Sequence, residues 1–219
     1  MRTLLLLLTS CLLLGACNKE KNATPAAPII SPPPPPLPYS SQLHLQEGNY
    51  WIYQVYFIDQ YGQATALNEF DSVYAGPEAT VKGKRYKVRM VQEVWGAPHT
   101  PQYFRDSAHY LVDTAGHIYA SFRLFNTVLQ NGQVGTDSIN YQVQMTDRVK
   151  LSTVPAGQYL TIARQVTWNI NPKYTGSGFR QFLLYTRINE GVGIVTETTL
   201  PFTGNRSLRE RRLVRYHIE

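Results

Sequence analysis

Beyond Gly48, hydrophobic and polar residues alternate with a period of two along most of the chain, which is the pattern of half-buried β-strands. Tyr50-Trp51-Ile52-Tyr53-Gln54-Val55-Tyr56-Phe57 is aromatic and β-branched, and ends at Asp59 ahead of a turn at Gly62. Val73-Tyr74 stops at Gly76-Pro77, and Lys82-Gly83-Lys84 reads as a tight turn. After it Tyr86, Val88, Met90, Gln92 and Val94 fall on one strand face, with Arg85, Lys87, Arg89 and Glu93 on the other. Tyr103 to Val112 and Ile118 to Phe125 flank Asp113-Thr114-Ala115-Gly116, a hairpin signal, whereas Val128 to Gly135 is polar and reads as a loop. Alternation resumes through Ile139 to Met145, through Leu160, Ile162, Val166 and Trp168 with Arg164 interrupting, and through Phe182 to Ile188. At the end Val214, Tyr216 and Ile218 alternate with Arg211, Leu213, Arg215 and His217; Arg209, Arg211 and Arg215 then share a solvated face of a charged edge strand. No stretch offers an amphipathic helix of three turns. The pattern predicts an all-β fold: a single antiparallel meander domain over 46–219, curved into a half-barrel, barrel or sandwich.

The first residues follow a different rule. Arg2 is a short basic start, Leu4 to Leu14 is an apolar run broken only by Thr9, Ser10 and Cys11, and Gly15-Ala16-Cys17 supplies small residues at a cleavage point. Such a run is too short for a bilayer core of about 30 Å and reads as a signal peptide over 1–16. Leu14-Gly15-Ala16-Cys17 resembles a bacterial lipobox. That resemblance implies lipidation of Cys17, which becomes the first residue of the mature chain and anchors it to the membrane. One acyl chain holds only reversibly, so the several chains of a lipoprotein are what make the attachment durable. Residues 17–45 form a disordered tether: Asn18-Lys19-Glu20-Lys21 is charged, and Pro32-Pro33-Pro34-Pro35-Pro36 favours polyproline II at about 3.1 Å per residue.

Val154-Pro155-Ala156-Gly157-Gln158-Tyr159 and Asn189-Glu190-Gly191-Val192-Gly193-Ile194-Val195, with Gly48-Asn49-Tyr50-Trp51 as a first strand, resemble β-rich lipoproteins of Bacteroidota. The resemblance implies an exported envelope protein and, by fold analogy, kinship with half-barrel lipid carriers; it brings no catalytic residues. The bland reading of these residues is backbone geometry, with Pro155 fixing an angle and Gly157, Gly191 and Gly193 permitting tight bends. Lys19-Glu20 partly resembles the tag of surface-exported lipoproteins, but Lys21 takes the place of its second acid. The expected location is the outer membrane, lipid-anchored, on the periplasmic face rather than the cell surface.

Both cysteines, Cys11 and Cys17, lie in or at the end of the leader, so the folded part has no disulfide, cysteine metal site or thiol nucleophile. It offers no Gly-x-Ser-x-Gly elbow, phosphate loop, dinucleotide fingerprint or His-Glu-x-x-His helix. His109 and His117 flank a hairpin; if Val112 pairs with His117 the two imidazoles point to opposite faces, and only a one-residue bulge changes that. Asp71, Glu93, Asp106 and Glu190 are acids that no spacing brings into one cleft. The chain is therefore read as non-enzymatic, with no catalytic residue, metal or cofactor.

Charge and aromatic content indicate partners. The net charge of +6 and the terminal Arg206, Arg209, Arg211, Arg212 and Arg215 suit anionic headgroups or polyanions, whereas nucleic acid is excluded by export and the lack of a reader motif. Fifteen tyrosines, eight phenylalanines and three tryptophans suit sheet packing, and also a concave apolar face. The expected function is binding of an amphiphile or protein partner through a curved sheet, with Tyr50, Trp51, Tyr53, Phe57 and Trp168 as lining. Surface glycan binding or hydrolysis is the alternative, and a structural subunit of an envelope complex a third.

Overall fold

The computed structural model describes residues 39–92, 98–108, 110–135, 139–171, 173, 181–199 and 208–219. Among them, twelve strands follow a short 3-10 helix, Tyr39–Leu43. The strands are β1 (Tyr50–Ile58), β2 (Ala64–Val81), β3 (Lys84–Val91), β4 (Thr100–Ser107), β5 (Tyr110–Val112), β6 (Ile118–Ala120), β7 (Val128–Val134), β8 (Ile139–Val154), β9 (Gly157–Ile170), β10 (Gln181–Asn189), β11 (Gly193–Thr199) and β12 (Leu208–His217). All belong to one antiparallel sheet in the order β6-β5-β4-β3-β2-β1-β12-β11-β10-β9-β8-β7. Every neighbour is a neighbour in sequence except β1 and β12, so the chain runs out along one half of the sheet and returns along the other. The sheet curls into an all-β, nearly closed barrel, the architecture expected from the alternation.

The barrel is filled from one face of each strand. Trp51 and Tyr53 of β1, Val73 and Ala75 of β2, Val91 of β3, Phe104 of β4, Met145 of β8, Ile188 of β10 and Leu213 of β12 make one buried cluster. Strand pairs explain why they meet. Directly opposed residues share a face, and Tyr53 opposes Leu213 while Trp51 opposes Val73. The free edges β6 and β7 carry no ladder between them. Instead the Gln130 side-chain Oε1 accepts the Ile118 N–H at 2.6 Å, and Arg164 Nε donates to the Tyr119 backbone carbonyl at 2.6 Å. Side chains thus complete the seam that backbone pairing leaves open.

Several sequence expectations are corrected. The tether does not extend to residue 45: Leu43 and Leu45 are only 2% and 3% exposed and belong to the core, so the 3-10 helix is part of the domain. Val128 to Gly135 is not a loop; β7 pairs with β8 from Val128 to Val134, and its polar side chains are what a half-exposed edge strand tolerates. Tyr103 to Val112 is two strands, because the chain turns at Ala108, whose φ is 55°. β2 does not stop at Gly76-Pro77. It continues to Val81, and the pairing with β3 skips Pro77 and Glu78 as a bulge, where proline's missing N–H costs nothing.

Two face assignments also change. β12 is a central strand between β1 and β11, not an edge, and Arg211 opposes Val55 inside the barrel instead of facing solvent. Arg89 points the same way as Val91, into the barrel, while Tyr86 and Val88 are buried on the other face. Arg105 and Tyr103 cover Tyr86 there: the guanidinium lies 5.8 Å from the ring centroid and the Tyr103 ring meets it edge-on at 6.4 Å.

The two glycine-containing motifs are structural. Val154 pairs with Gly157, so Pro155 and Ala156 form a two-residue turn, and the Ala156 N–H donates to the Leu213 carbonyl at 3.0 Å, docking the hairpin on β12. At the β10–β11 turn, Gly193 has φ 88°, and a Cβ there would lie 3.1 Å from the Leu43 carbonyl oxygen. Only glycine lets the turn accept the 3-10 segment so closely.

Candidate functional site

The residues expected to line a concave site do not gather into one. Trp51 is 3% exposed and its Nε1 donates to the Val192 carbonyl at 2.7 Å; Tyr53 is 1% exposed and its hydroxyl donates to the Ile194 carbonyl at 2.8 Å. Burial pushes the Tyr53 phenol well above its ordinary range. Both rings fill the core and tie β1 to the segment after the β10–β11 turn. Tyr50 alternates to the opposite face, where its ring stacks on His217 at 5.7 Å. Phe57, partly exposed, stands at the far end of β1. Trp168 lies on β9 with Tyr141 as its ring neighbour at 6.3 Å. Cys17, Trp95, His109, Glu93 and Arg206 lie outside the described residues.

The hairpin around Asp113 bears on the histidine question. Val112 pairs with Ile118, and a bulge separates that pair from Leu111 and Ala120. The His117 ring turns to its own hairpin, with Nδ1 3.1 Å from Asp113 Oδ2. Among the described residues no group of three His, Cys, Asp or Glu side chains could hold a metal, and no helix is long and apolar enough to cross a membrane.

The barrel interior also holds a network of ionised groups. Arg89 Nη2 and Arg211 Nη2 lie 2.8 and 3.2 Å from Glu197 Oε2, and Arg211 Nη1 lies 3.8 Å from Asp71 Oδ2. Arg89 Nη1 also donates to Gln102 Oε1 at 3.1 Å. Register places them: Glu197 opposes Arg211 across β11 and β12, and Arg89 opposes Ala75 across β3 and β2. Burial by itself would raise the Glu197 carboxyl, but the Arg89 and Arg211 guanidinium groups overcome that and hold it at about 2. Burial does win at Asp71, whose carboxyl is raised despite Arg211 and Arg209. Two carboxylates bound to arginines in this way act as counter-ions within the fold. Of the other acids considered, Asp106 is exposed on β4, and Glu190 lies at the β10–β11 turn.

A cleft lies elsewhere, on the β8–β9 hairpin. It has a volume of about 360 Å³ and is lined by Phe122, Val149, Leu160, Ile162 and Ile188, with Gln42, Arg148, Thr161 and Glu190 supplying polar groups. A bulge creates it. Pairing between β8 and β9 jumps from Thr146–Ala163 to Lys150–Thr161, leaving Asp147, Arg148 and Val149 opposite Ile162. Asp147 takes φ 41° and is held by Arg187 at 3.2 Å and Lys150 at 3.8 Å. Arg148 then lies over the Phe125 ring at 5.0 Å. Val149, Leu151 and Leu160 are 72%, 57% and 62% exposed, and Leu151 opposes Leu160 directly, so the cleft opens onto an apolar strip. The sequence carried one signal for this, the charged pair Asp147-Arg148 interrupting an alternating strand. The contributions of Phe122 and Gln42 had none, because both come from outside regular strands.

No protein-family model matches the sequence, and no curated protein matches it. Two solved structures resemble the chain. One is an exported-protein candidate with a YmcC-like fold from Bacteroides fragilis, 12% identical with a TM-score of 0.45, covering 78% of this chain and 96% of that one. The other is a lipoprotein candidate from Parabacteroides distasonis, 10% identical with a TM-score of 0.43, covering 79% of this chain and 96% of that one.

Proposed function

We propose that this chain is an outer-membrane lipoprotein, anchored through lipidated Cys17 with its β domain on the periplasmic face, and that the domain binds an amphiphile without catalysing a reaction on it. The observation that carries the reading is the cleft of about 360 Å³, with an apolar floor of Phe122, Ile162 and Ile188, an exposed apolar lip of Val149 and Leu160, and the Arg148 cation beside it. Such a volume falls in the range of small-molecule sites, and the mix of hydrophobic lining with a few polar groups suits an acyl chain that ends in an anionic headgroup. The interior acids support a non-catalytic role, since Glu197 and Asp71 are already engaged by arginines.

Leu160→Asp tests the site directly. Leu160 is exposed, so the domain should fold normally while the charge in the cleft mouth expels a hydrocarbon chain. A fluorescent fatty acid titrated against the detergent-solubilised full chain should bind at least about tenfold more weakly to the variant. Equal affinities, or a parent chain that takes up no fatty acid, would sink the assignment. Anchoring has its own test. In Cys17→Ser the chain should keep its leader and lose its acyl modification by mass spectrometry, and identical processing and fractionation of variant and parent would refute the anchor.

A further inference from the structure

Among the described residues, Arg164 is an arginine of the barrel interior that forms no ion pair with the network's carboxylates. It sits on β9 opposite Met145 of β8 and Thr186 of β10, so it shares their inward face. Its Nε donates to the Tyr119 carbonyl, and its guanidinium carbon lies 4.6 Å from the Tyr119 ring centroid. Neither contact supplies a negative charge, and among the described residues no Asp or Glu lies within 4.0 Å of it. The one acid whose charge acts on it, Glu197, is already bound by Arg89 and Arg211. Arg164 is half-buried, and its two terminal nitrogens are free to donate to an acceptor in the space it borders.

The space in front of it is the seam between β6 and β7. A cavity of about 150 Å³ there is lined by Arg164 together with Tyr141, Gln130, His117 and Asp113. At roughly 30 Å³ per water it has room for a few solvent molecules or one small polyatomic ion. Its walls are rich in donors. Gln130 uses its carbonyl oxygen on the Ile118 N–H and one amide hydrogen on the Tyr141 hydroxyl at 3.0 Å, which leaves the tyrosine's own hydrogen to give. The carboxylate of Asp113 is turned to its own hairpin: Oδ1 accepts the Ala115 and His117 N–H groups at 2.9 and 2.8 Å, and Oδ2 faces His117 Nδ1.

We infer that this seam cavity is a binding site for a small oxyanion, a carboxylate or phosphate group, held by the Arg164 guanidinium and the Tyr141 hydroxyl. The guanidinium fork matches two oxygens of such a group, and the hydroxyl donates to a third or to the same pair from the β8 side. The site is separate from the Leu160 cleft and does not depend on it.

The test uses the full chain in a neutral detergent, with inorganic phosphate as the probe in calorimetry and an alkyl phosphate titrated in parallel. One saturable site for phosphate is expected. Tyr141→Phe keeps the Arg164–Tyr119 contact and should weaken phosphate about tenfold, the scale of one hydrogen bond to a charged group. Arg164→Gln should abolish measurable binding, and Leu160→Asp should leave phosphate affinity unchanged, which keeps this site distinguishable from the cleft. Equal affinities for the two probes would mean a free ion. Tighter binding of the alkyl phosphate that is still weakened by Tyr141→Phe would mean a headgroup. Absence of phosphate binding, or an affinity indifferent to both Tyr141→Phe and Arg164→Gln, would overturn the inference.

Discussion

Glu197→Gln should lower the unfolding free energy by about 3–5 kcal/mol, read from urea or guanidinium titration, because it leaves the Arg89 and Arg211 guanidinium groups inside the barrel without their shared counter-ion. The two arginine side chains are 3% and 8% exposed, so solvent screening does little to soften the loss. The same carboxylate makes stability depend on pH. Its folded pKa of about 2 lies below the ordinary value of 4.5, so its contribution is complete above pH 4.5 and drains as the pH falls toward 2. Asp71, raised by burial, works in the opposite sense, since protonating it relieves a carboxylate the fold disfavours. The parent chain should therefore lose more stability than Glu197→Gln over pH 4.5 to 2. A control separates charge from packing. Arg89→Met and Arg211→Met combined with Glu197→Leu removes the triad as a unit and should recover most of the loss, as apolar replacement of buried ionic groups commonly does. Equal stabilities of parent and Glu197→Gln would show that the network is slack.

Trp51→Ala should cost about 3–5 kcal/mol, the range for emptying a core aromatic site, and at the upper end should abolish folding at moderate temperature. The indole is 3% exposed and packs with Val73 and Leu213, and its N–H satisfies the Val192 carbonyl. Trp51→Phe refills most of the volume but orphans that carbonyl, for about 1–3 kcal/mol. Tyr50→Ala, one residue earlier but on the outer face, should cost on the order of 0.5 kcal/mol. Similar melting temperatures for Trp51→Ala and Tyr50→Ala would contradict the division of β1 into an inner and an outer face.

The contrast between Trp51 and Tyr50 also marks how far the sequence could be read. A period of two announces strands, and it located most of them, because side-chain alternation is imposed by the backbone itself. It does not say which face looks inward. On β3 the apolar set Tyr86, Val88 and Met90 suggested one inner face, yet Arg89 and Val91 point into the barrel, opposite Ala75 and Val73 of β2. The partner that makes an inward arginine affordable is Glu197, 108 residues away, and no local pattern connects the two. Trp51 and Tyr53 were legible as important but not as core, because an aromatic packed on a sheet and one lining a groove have the same neighbours in sequence. The cleft depends on a three-residue bulge at Asp147 and on Phe122 from a connecting segment, and the Arg164 cavity on two strand edges meeting across the seam. Those are properties of closure, which alternation does not encode.

A cylinder whose last join is made by an amide and a guanidinium has a girth that no continuous ladder sets. Its circumference is that of a split ring, with the Gln130–Ile118 and Arg164–Tyr119 bonds spanning the gap that the strand pairs leave. At the seam the girth is thus set by side chains and not by ladder hydrogen bonds.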